Sequence, residues 1–137
     1  MVSLVPVDTA PDAFRPDPIS PDEGVAAFRA VLNLFGKWDV TDEQAATLLD
    51  MAVRTFARWK VDGPGRISRD GRARLSNLLG IHKALRIIFQ EPPRGYEWIK
   101  SANKAFGGKS ALEVMLGGEL TDIMRVRRYL DAERGGW

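Results

Sequence analysis

The stretch "NKAFGGKSALEVMLGGE" at residues 103–119 contains Gly-Lys-Ser, the end of the phosphate-binding motif G-x-x-x-x-G-K-[ST]. That motif binds phosphate because glycine, after a buried strand, lets backbone N–H groups converge on the anion. Here Asn103 stands where the first glycine belongs, and no continuous apolar strand precedes it. The match is partial, so nucleotide binding is not predicted.

The other reactive side chains lack the partners that catalysis needs. The carboxylates of Glu97, Glu113 and Glu119 have no histidine or thiol at a recognisable spacing, and the serines lack a nucleophile-elbow context. The chain has no cysteine and a single histidine, which argues against a disulfide framework and a multi-histidine metal site. His82 lies on an apolar stripe, which is typical of a satisfied core residue. The sequence therefore predicts no enzyme, no cofactor and no metal site.

The charged residues are distributed unevenly along the chain, whose net charge is +2. Residues 1–50 carry nine acidic and three basic side chains, net −6. Residues 51–74 carry seven basic and two acidic side chains, net +5, and residues 75–137 carry ten and seven, net +3. A compact basic segment in a nearly neutral protein favours nucleic acid as a partner.

The basic segment overlaps "DEQAATLLDMAVRTFARWK", a pattern typical of a DNA-binding helix-turn-helix. Ala46 is the small residue where the two helices approach, and Asp50 occupies the turn, where it tolerates left-handed dihedrals. The apolar positions are Leu49, Met51, Phe56 and Trp59. The predicted DNA-binding residues are Arg54, Thr55, Arg58, Lys60 and Arg66, and Arg69, Arg72 and Arg74 could add backbone contacts. The alternative is a pair of ordinary packed helices whose arginines are merely solvated.

Helix start and stop signals predict an all-α fold of about eight helices, with no strand and no internal repeat. Capping boxes are expected at residues 20–23, 41–44 and 110–113. The first helix should carry an apolar stripe at Val25, Phe28, Leu32 and Phe35 and end at Gly36. "EPPRG" should break the chain before a short helix in "YEWIKSANKAF".

Two longer helices are expected in the second half of the chain. One carries an apolar stripe formed by Leu75, Leu78, Leu79, His82, Leu85, Ile88 and Phe89. Gly80 within it costs about 1 kcal/mol relative to Ala, so a helix–helix contact or a bend is expected there. The terminal helix should place Leu120, Ile123, Met124, Arg127 and Leu130 on one side.

These elements divide the chain into three parts. Residues 1–19 are expected to form a flexible proline-rich arm, because prolines at 6, 11, 16 and 18 block regular structure. Residues 20–66 form the helix-turn-helix domain. Residues 67–137 form a second helical domain that begins with a long linking helix at 68–90. The N-terminus lacks signal-peptide features, and no run approaches about 18 apolar residues, so a cytoplasmic location is expected.

The C-terminal third has a spaced pattern, W-x-x-x-x-N-x-x-F-x-G-x-S-x-L-x-x-M-x-x-G, from Trp98 to Gly118. On physical grounds Trp98 and Phe106 pack in a helical core and Asn103 caps a turn. The pattern also resembles the toxin-binding domain of Xre/MbcA/ParS-type antitoxins, and most closely the ParS branch. The similarity covers roughly residues 22–137. Ala102 and Ala111 depart from it, since both positions are often proline in that family.

The resemblance implies an antitoxin of a type II toxin–antitoxin system, which binds a RES-domain toxin that consumes or transfers ADP-ribose from NAD. It implies that the antitoxin occludes the toxin's active site and represses its own operon. The residues expected to bind the toxin are Trp98, Asn103, Phe106, Lys109, Arg127, Arg128, Arg134 and Trp137. In the tail, Arg134 would enter the toxin's NAD-binding cleft, which requires acidic groups there to accept it. Trp137 would stack where a ring of NAD binds. A frayed terminus is the alternative for this tail.

Two other functions remain open from the sequence. One is a helix-turn-helix transcription regulator with a C-terminal dimerisation domain and no toxin partner. The other is an antitoxin whose helix-turn-helix has become a dimerisation module. A homodimer is expected in each case, because helix-turn-helix proteins commonly read two half-sites. The stripe at Leu75–Phe89 could supply the dimer contact.

Overall fold

The computed structural model describes residues 20–135, and these fold as seven α-helices and one 3₁₀ turn. The elements are α1 (Pro21–Trp38), α2 (Asp42–Leu48), α3 (Val53–Asp62), α4 (Arg69–Ile88), α5 (Pro92–Lys100), the 3₁₀ turn (Lys104–Phe106), α6 (Ala111–Met115) and α7 (Leu120–Glu133). Within this part of the chain no strand occurs, and the all-α prediction is confirmed. The predicted arm at 1–19 and Trp137 lie outside the described residues.

Side-chain hydrogen bonds cap the N-termini of several helices, as predicted. The three expected capping boxes at residues 20–23, 41–44 and 110–113 all form, and their N-cap hydroxyls accept backbone N–H bonds of 3.1–3.2 Å. Each box satisfies two backbone donors that would otherwise lack partners at a helix start. At the end of α6, Gly118 adopts φ +91°, as the glycine pair there predicted.

Three predicted helix boundaries differ from the structure. The first helix continues through Gly36 to Trp38 and ends because Asp39 takes the left-handed conformation (φ 54°). The expected break before the fifth helix occurs, but at residues 89–91, and the rest of "EPPRG" forms the first turn of α5, since proline is tolerated at the N-terminal positions of a helix. The fifth helix then ends at Lys100, and residues 104–106 form the separate 3₁₀ turn.

Helix α4 is the central element, because it packs against α1, α5 and α7. Its buried side chains include Leu75, Leu78, Ile81 and Leu85, each at most 2% exposed. In the predicted dimer stripe, Leu75, Leu78 and Leu85 are buried in the protein's own core, and Leu79, Ile88 and Phe89 are partly buried against it. The stripe therefore has little apolar surface left for the predicted dimer contact, which stays a prediction. Ile87 is the α4 hydrophobic residue that stays exposed, at 52%.

His82 lies at the edge of this core, and the hydrogen-bonding groups of its ring are not all paired. It is partly buried, and its Nδ1 atom is buried without a hydrogen-bond partner in the described structure. Burial lowers the pKa of His82, and the nearby charges of Arg86 and Lys37 lower it further. The prediction of a satisfied core histidine is corrected accordingly.

Helices α4 and α7 approach closely at Gly80, as its position in the sequence suggested. A β-carbon at Gly80 would overlap the guanidinium of Arg127. That guanidinium also lies 3.4 Å from Asn77 Oδ1 and 3.6 Å from a carboxylate oxygen of Asp131. Glycine at this position therefore makes room for an arginine between the two helices.

Candidate DNA-contact and partner-contact surfaces

Helices α2 and α3 and the turn between them have the geometry expected of a helix-turn-helix. Ala46 is 1% exposed, and Asp50 in the turn has φ 53°, as predicted. Phe56 anchors α3 from beneath, with its ring centroid 6.3 Å from that of Phe28 and 6.4 Å from that of Phe35. One side of α3 is fixed to the core, and its opposite side faces outward.

The outward face of α3 carries both cations and apolar groups. Arg54 and Arg58 are exposed one turn apart. Val53, Ala57 and Val61 are also exposed, with Val53 at 39% and Val61 at 83%. These three residues were not predicted as part of this surface, although their i, i+4, i+8 spacing places them along one line of the helix.

Two residues of the predicted DNA-binding set are engaged within the protein. Thr55 lines a cavity beneath the turn. Lys60 forms a 2.9 Å ion pair with Asp42 on α2, and its ammonium group lies 5.7 Å from the centre of the Phe56 ring. Lys60 remains exposed, but its pair with Asp42 must be given up for a phosphate contact, whereas Arg54 and Arg58 have no ion pair within residues 20–135.

The arginines that follow α3 have different environments. Arg66 and Arg69 are exposed. Arg72 donates to the carbonyl oxygen of Ile67 at 3.0 Å. Arg74 is 3% exposed and donates to Asp70 (2.7 Å) and to the carbonyl oxygen of Leu48 (3.1 Å). The expected backbone contact by Arg74 is therefore wrong, because its guanidinium joins α4 to the end of α2.

An aromatic cluster organises the C-terminal part of the protein. The rings of Trp98 and Tyr129 stack with centroids 6.0 Å apart and an interplanar angle of 11°. Phe106 meets both rings edge-on, at 6.3 Å and 5.1 Å. Phe106 is only 4% exposed, so it supports this surface from below and is not available for direct contact. The physical prediction that Trp98 and Phe106 pack together is confirmed.

Asn103 holds the loop that carries the two glycines. Its side-chain oxygen accepts from the N–H of Ala105 at 2.9 Å, and its own N–H donates to the Lys109 carbonyl at 3.0 Å. Its carbonyl oxygen accepts from Phe106 and Gly108. The predicted capping role of Asn103 is confirmed, and the loop presents Lys109 to solvent.

The elements that carry the cluster of Trp98, Phe106 and Tyr129 also carry exposed cations. These are Lys104 and Lys109 in the 103–110 segment and Arg125 and Arg128 on α7. The guanidinium carbon of Arg125 lies 5.4 Å from the centre of the Phe106 ring, a cation–π geometry. We call the stacked rings of Trp98 and Tyr129, together with these four cations, the basic aromatic face.

Three other predicted contact residues lie apart from this surface or outside the described residues. Arg127 has an 18% exposed side chain, and we assign it to the α4–α7 packing at Gly80. Arg134 is exposed at the end of α7, with a nitrogen 3.7 Å from Asp131 Oδ1. Trp137 lies outside the described residues. Sequence reasoning missed Tyr129 and Arg125, which α7 places against Trp98 and Phe106.

The fold and these surfaces define a helix-turn-helix protein with a second, separate contact face. Family models match the chain in two parts, the antitoxin Xre-like helix-turn-helix domain at residues 17–80 and the antitoxin Xre/MbcA/ParS C-terminal toxin-binding domain at residues 84–136. The chain belongs to the Xre/MbcA/ParS antitoxin family. It is an antitoxin of a toxin–antitoxin system, and its domains imply a toxin partner and DNA binding.

One curated relative is similar to this chain across both domains. The chain is 43% identical over 112 residues to the uncharacterized protein y4oB of Sinorhizobium fredii (strain NBRC 101917 / NGR234). The similarity covers 81% of this chain and 86% of that protein. Families of this kind are generally not enzymes. No helix within residues 20–135 is both long enough and apolar enough to cross a membrane.

Proposed function

We propose that this antitoxin neutralises a RES-domain toxin that consumes or transfers ADP-ribose from NAD, and that it does so by occluding the toxin's active site. The observation that carries the proposal is the basic aromatic face within the matched toxin-binding domain. The choice of a RES-domain toxin follows from the resemblance to the ParS branch. The cytoplasm, where NAD is available, remains the expected location.

The basic aromatic face has the chemistry of a protein interface. Tryptophan, tyrosine and arginine are the residues that most often dominate binding energy. Tryptophan and tyrosine bury large areas with little loss of side-chain freedom, and arginine adds a planar set of five hydrogen-bond donors. The Trp98–Tyr129 stack is held from below by Phe106, so it is rigid before binding. The lysines and arginines of this face would complement an acidic rim around the partner's cleft and speed association.

A charge reversal on this face tests the proposal. Exchanging both Lys109 and Arg128, as Lys109→Glu with Arg128→Glu, should weaken the complex with the toxin encoded beside it at least tenfold, because like charges would oppose the partner. Both residues are exposed, so the fold should be unchanged. The matched control is Arg54→Glu with Arg58→Glu on α3. Equal affinity of the two double variants would contradict the proposed site.

The tail is a separate part of the proposal. Arg134 and Trp137 would enter the toxin's NAD cleft, with the Trp137 ring stacking in place of an NAD ring. Deleting Trp137 should then reduce neutralisation while leaving assembly on the basic aromatic face intact. Unchanged neutralisation by the shortened chain would exclude the tail as a plug.

We propose further that α3 reads the antitoxin's own operator. Arg54 and Arg58 suit guanine edges or phosphates, and the apolar groups of Val53 and Ala57 suit thymine methyls. Two half-sites would call for a homodimer. In this assignment residues 20–66 would bind DNA and residues 67–137 would bind the toxin.

A further inference from the structure

A cavity of about 250 Å³ lies directly beneath the helix-turn-helix turn. It is partly open to solvent and lies between α1, the turn, α3, residues 66–68 and the first turns of α4. Its apolar lining is formed by Phe28, Leu49, Met51, Trp59, Ile67 and Leu75. An engineered apolar cavity of about 150 Å³ is known to bind benzene, so this one can hold an aromatic ring or a branched chain with a short polar group.

The polar residues that line this cavity include an acid and a base. They are Asp50, Thr55, Arg66 and Ser68. The Ser68 hydroxyl already accepts from the N–H of Gly71 at 3.0 Å. Asp50 and Arg66 make no ion pair with each other or with any other residue in 20–135. Within these residues, the lining therefore combines apolar side chains with an acid and a base that form no ion pair.

The N-terminus of α4 contributes to the electrostatic potential at the cavity. This 20-residue helix begins at Arg69, immediately after the lining residue Ser68. The N-terminus of a helix carries a partial positive charge, which favours an anionic group beside it. Arg66 and the helix start together favour a carboxylate, whereas Asp50 favours a cation.

We propose that this cavity binds a hydrophobic α-amino acid in its zwitterionic form. The side chain fills the apolar lining, the carboxylate binds Arg66 beside the start of α4, and the ammonium group binds Asp50. A single α-amino acid meets all three requirements, because its ammonium group, its carboxylate and its side chain are all attached to the same α-carbon. Since the turn and α3 both line the cavity, the bound amino acid would also stabilise the position of α3.

Calorimetric titration of the full chain with L-phenylalanine and L-leucine tests the proposal. At least one should bind saturably and raise the melting temperature, because a ligand that binds only the folded state stabilises it. Phenylacetate lacks the ammonium group and phenethylamine lacks the carboxylate. Each should bind at least about tenfold more weakly than L-phenylalanine, since each loses a charged hydrogen bond.

Variants locate the site. Asp50→Asn keeps a residue that tolerates the left-handed backbone, and Arg66→Gln removes the cation. Each should weaken binding of the amino acid at least about tenfold. Asp62→Asn and Arg69→Gln make the same changes outside the lining and should leave affinity unchanged. The proposal is overturned if neither amino acid binds saturably, if phenylacetate binds as tightly as L-phenylalanine, or if the Asp50 and Arg66 variants bind like the unmodified chain.

Discussion

Arg74 is a buried cation whose loss should destabilise the protein. Replacing it in Arg74→Met removes the donor to the Leu48 carbonyl, and a buried acceptor left unpaired costs about 1–3 kcal/mol. Its other partner, Asp70, has a 49% exposed side chain and remains solvated. The free energy of unfolding, measured by urea denaturation, should fall by this amount. The exposed Arg69→Met should change it by less than about 0.5 kcal/mol, and equal losses in the two variants would contradict the assignment.

His82 should make stability depend on pH in mildly acidic solution. Its pKa is lowered in the folded protein by burial and by Arg86 and Lys37, so the unfolded chain binds the proton more tightly. The free energy of unfolding is therefore fully retained above the ordinary histidine pKa of 6.5 and falls as pH drops from there towards the lower folded-state pKa. Urea denaturation between pH 7.5 and pH 5.5 should show this loss in the unmodified protein and a smaller one in His82→Gln. Parallel pH profiles would exclude His82 as the cause.

Gly80 and Gly36 are helical glycines whose replacement by alanine should differ in effect. A β-carbon at Gly80 would displace the guanidinium of Arg127, the end of a flexible side chain, from its contacts with Asn77 and Asp131. The lost contacts should offset part or all of the gain in helix propensity, so Gly80→Ala should stabilise the protein less than Gly36→Ala does. Nothing lies within 4 Å of a β-carbon at Gly36, so Gly36→Ala should stabilise α1 by up to about 1 kcal/mol.

A double variant isolates the contact between α4 and α7. In an Arg127→Ala background, Gly80→Ala should raise stability more than it does in the unmodified protein, because no guanidinium has to move. Thermal or urea unfolding of the four proteins in the cycle gives the coupling. Strictly additive effects of Gly80→Ala and Arg127→Ala on the free energy of unfolding would show that the close approach of the two residues does not affect stability.

Helix α3 should bind DNA through two arginines. Arg54→Gln and Arg58→Gln should each weaken binding to the DNA upstream of the antitoxin's own coding sequence about tenfold, the effect of losing one good base or phosphate contact. Each should also reduce the salt slope of the affinity by about 1 if it contacts a phosphate. Lys60→Gln should have a smaller effect, since Lys60 is paired with Asp42. An affinity that does not depend on salt would favour a dimerisation role for this helix.

The fold follows from the sequence wherever short-range chemistry decides it. The capping boxes, the left-handed Asp50 and the close approach at Gly80 each depend on neighbouring residues or on the absence of a side chain, and all were predicted. The end of α1 was predicted wrongly at Gly36, because Asp39, three residues later, supplies the left-handed conformation.

The contact surfaces were less predictable, because they depend on residues distant in sequence. Lys60 is paired by a residue 18 positions earlier, and Arg74 is buried by a carbonyl 26 positions earlier. Helical spacing alone could not show that Thr55 faces a cavity or that Tyr129 stacks on Trp98. The residue types of both surfaces were visible in the sequence, but their accessibility required the packed structure.

The whole molecule places its two contact surfaces on different parts of one helical core. The outward side of α3 lies in the helix-turn-helix, the basic aromatic face is formed by α5, the 103–110 loop and α7, and α4 packs between these units. A central helix shared by both units gives each surface a rigid support. Toxin binding and DNA binding should accordingly be separable by exposed substitutions that leave the core intact.

The central claim is that this antitoxin silences an NAD-consuming partner. The most direct measurement is NAD turnover by the protein encoded beside it, purified alone and as a co-expressed complex with the full chain. The free partner should consume NAD, and a stable complex with the antitoxin should suppress this turnover. A partner that stays fully active in the complex, or one that never consumes NAD, would contradict the account.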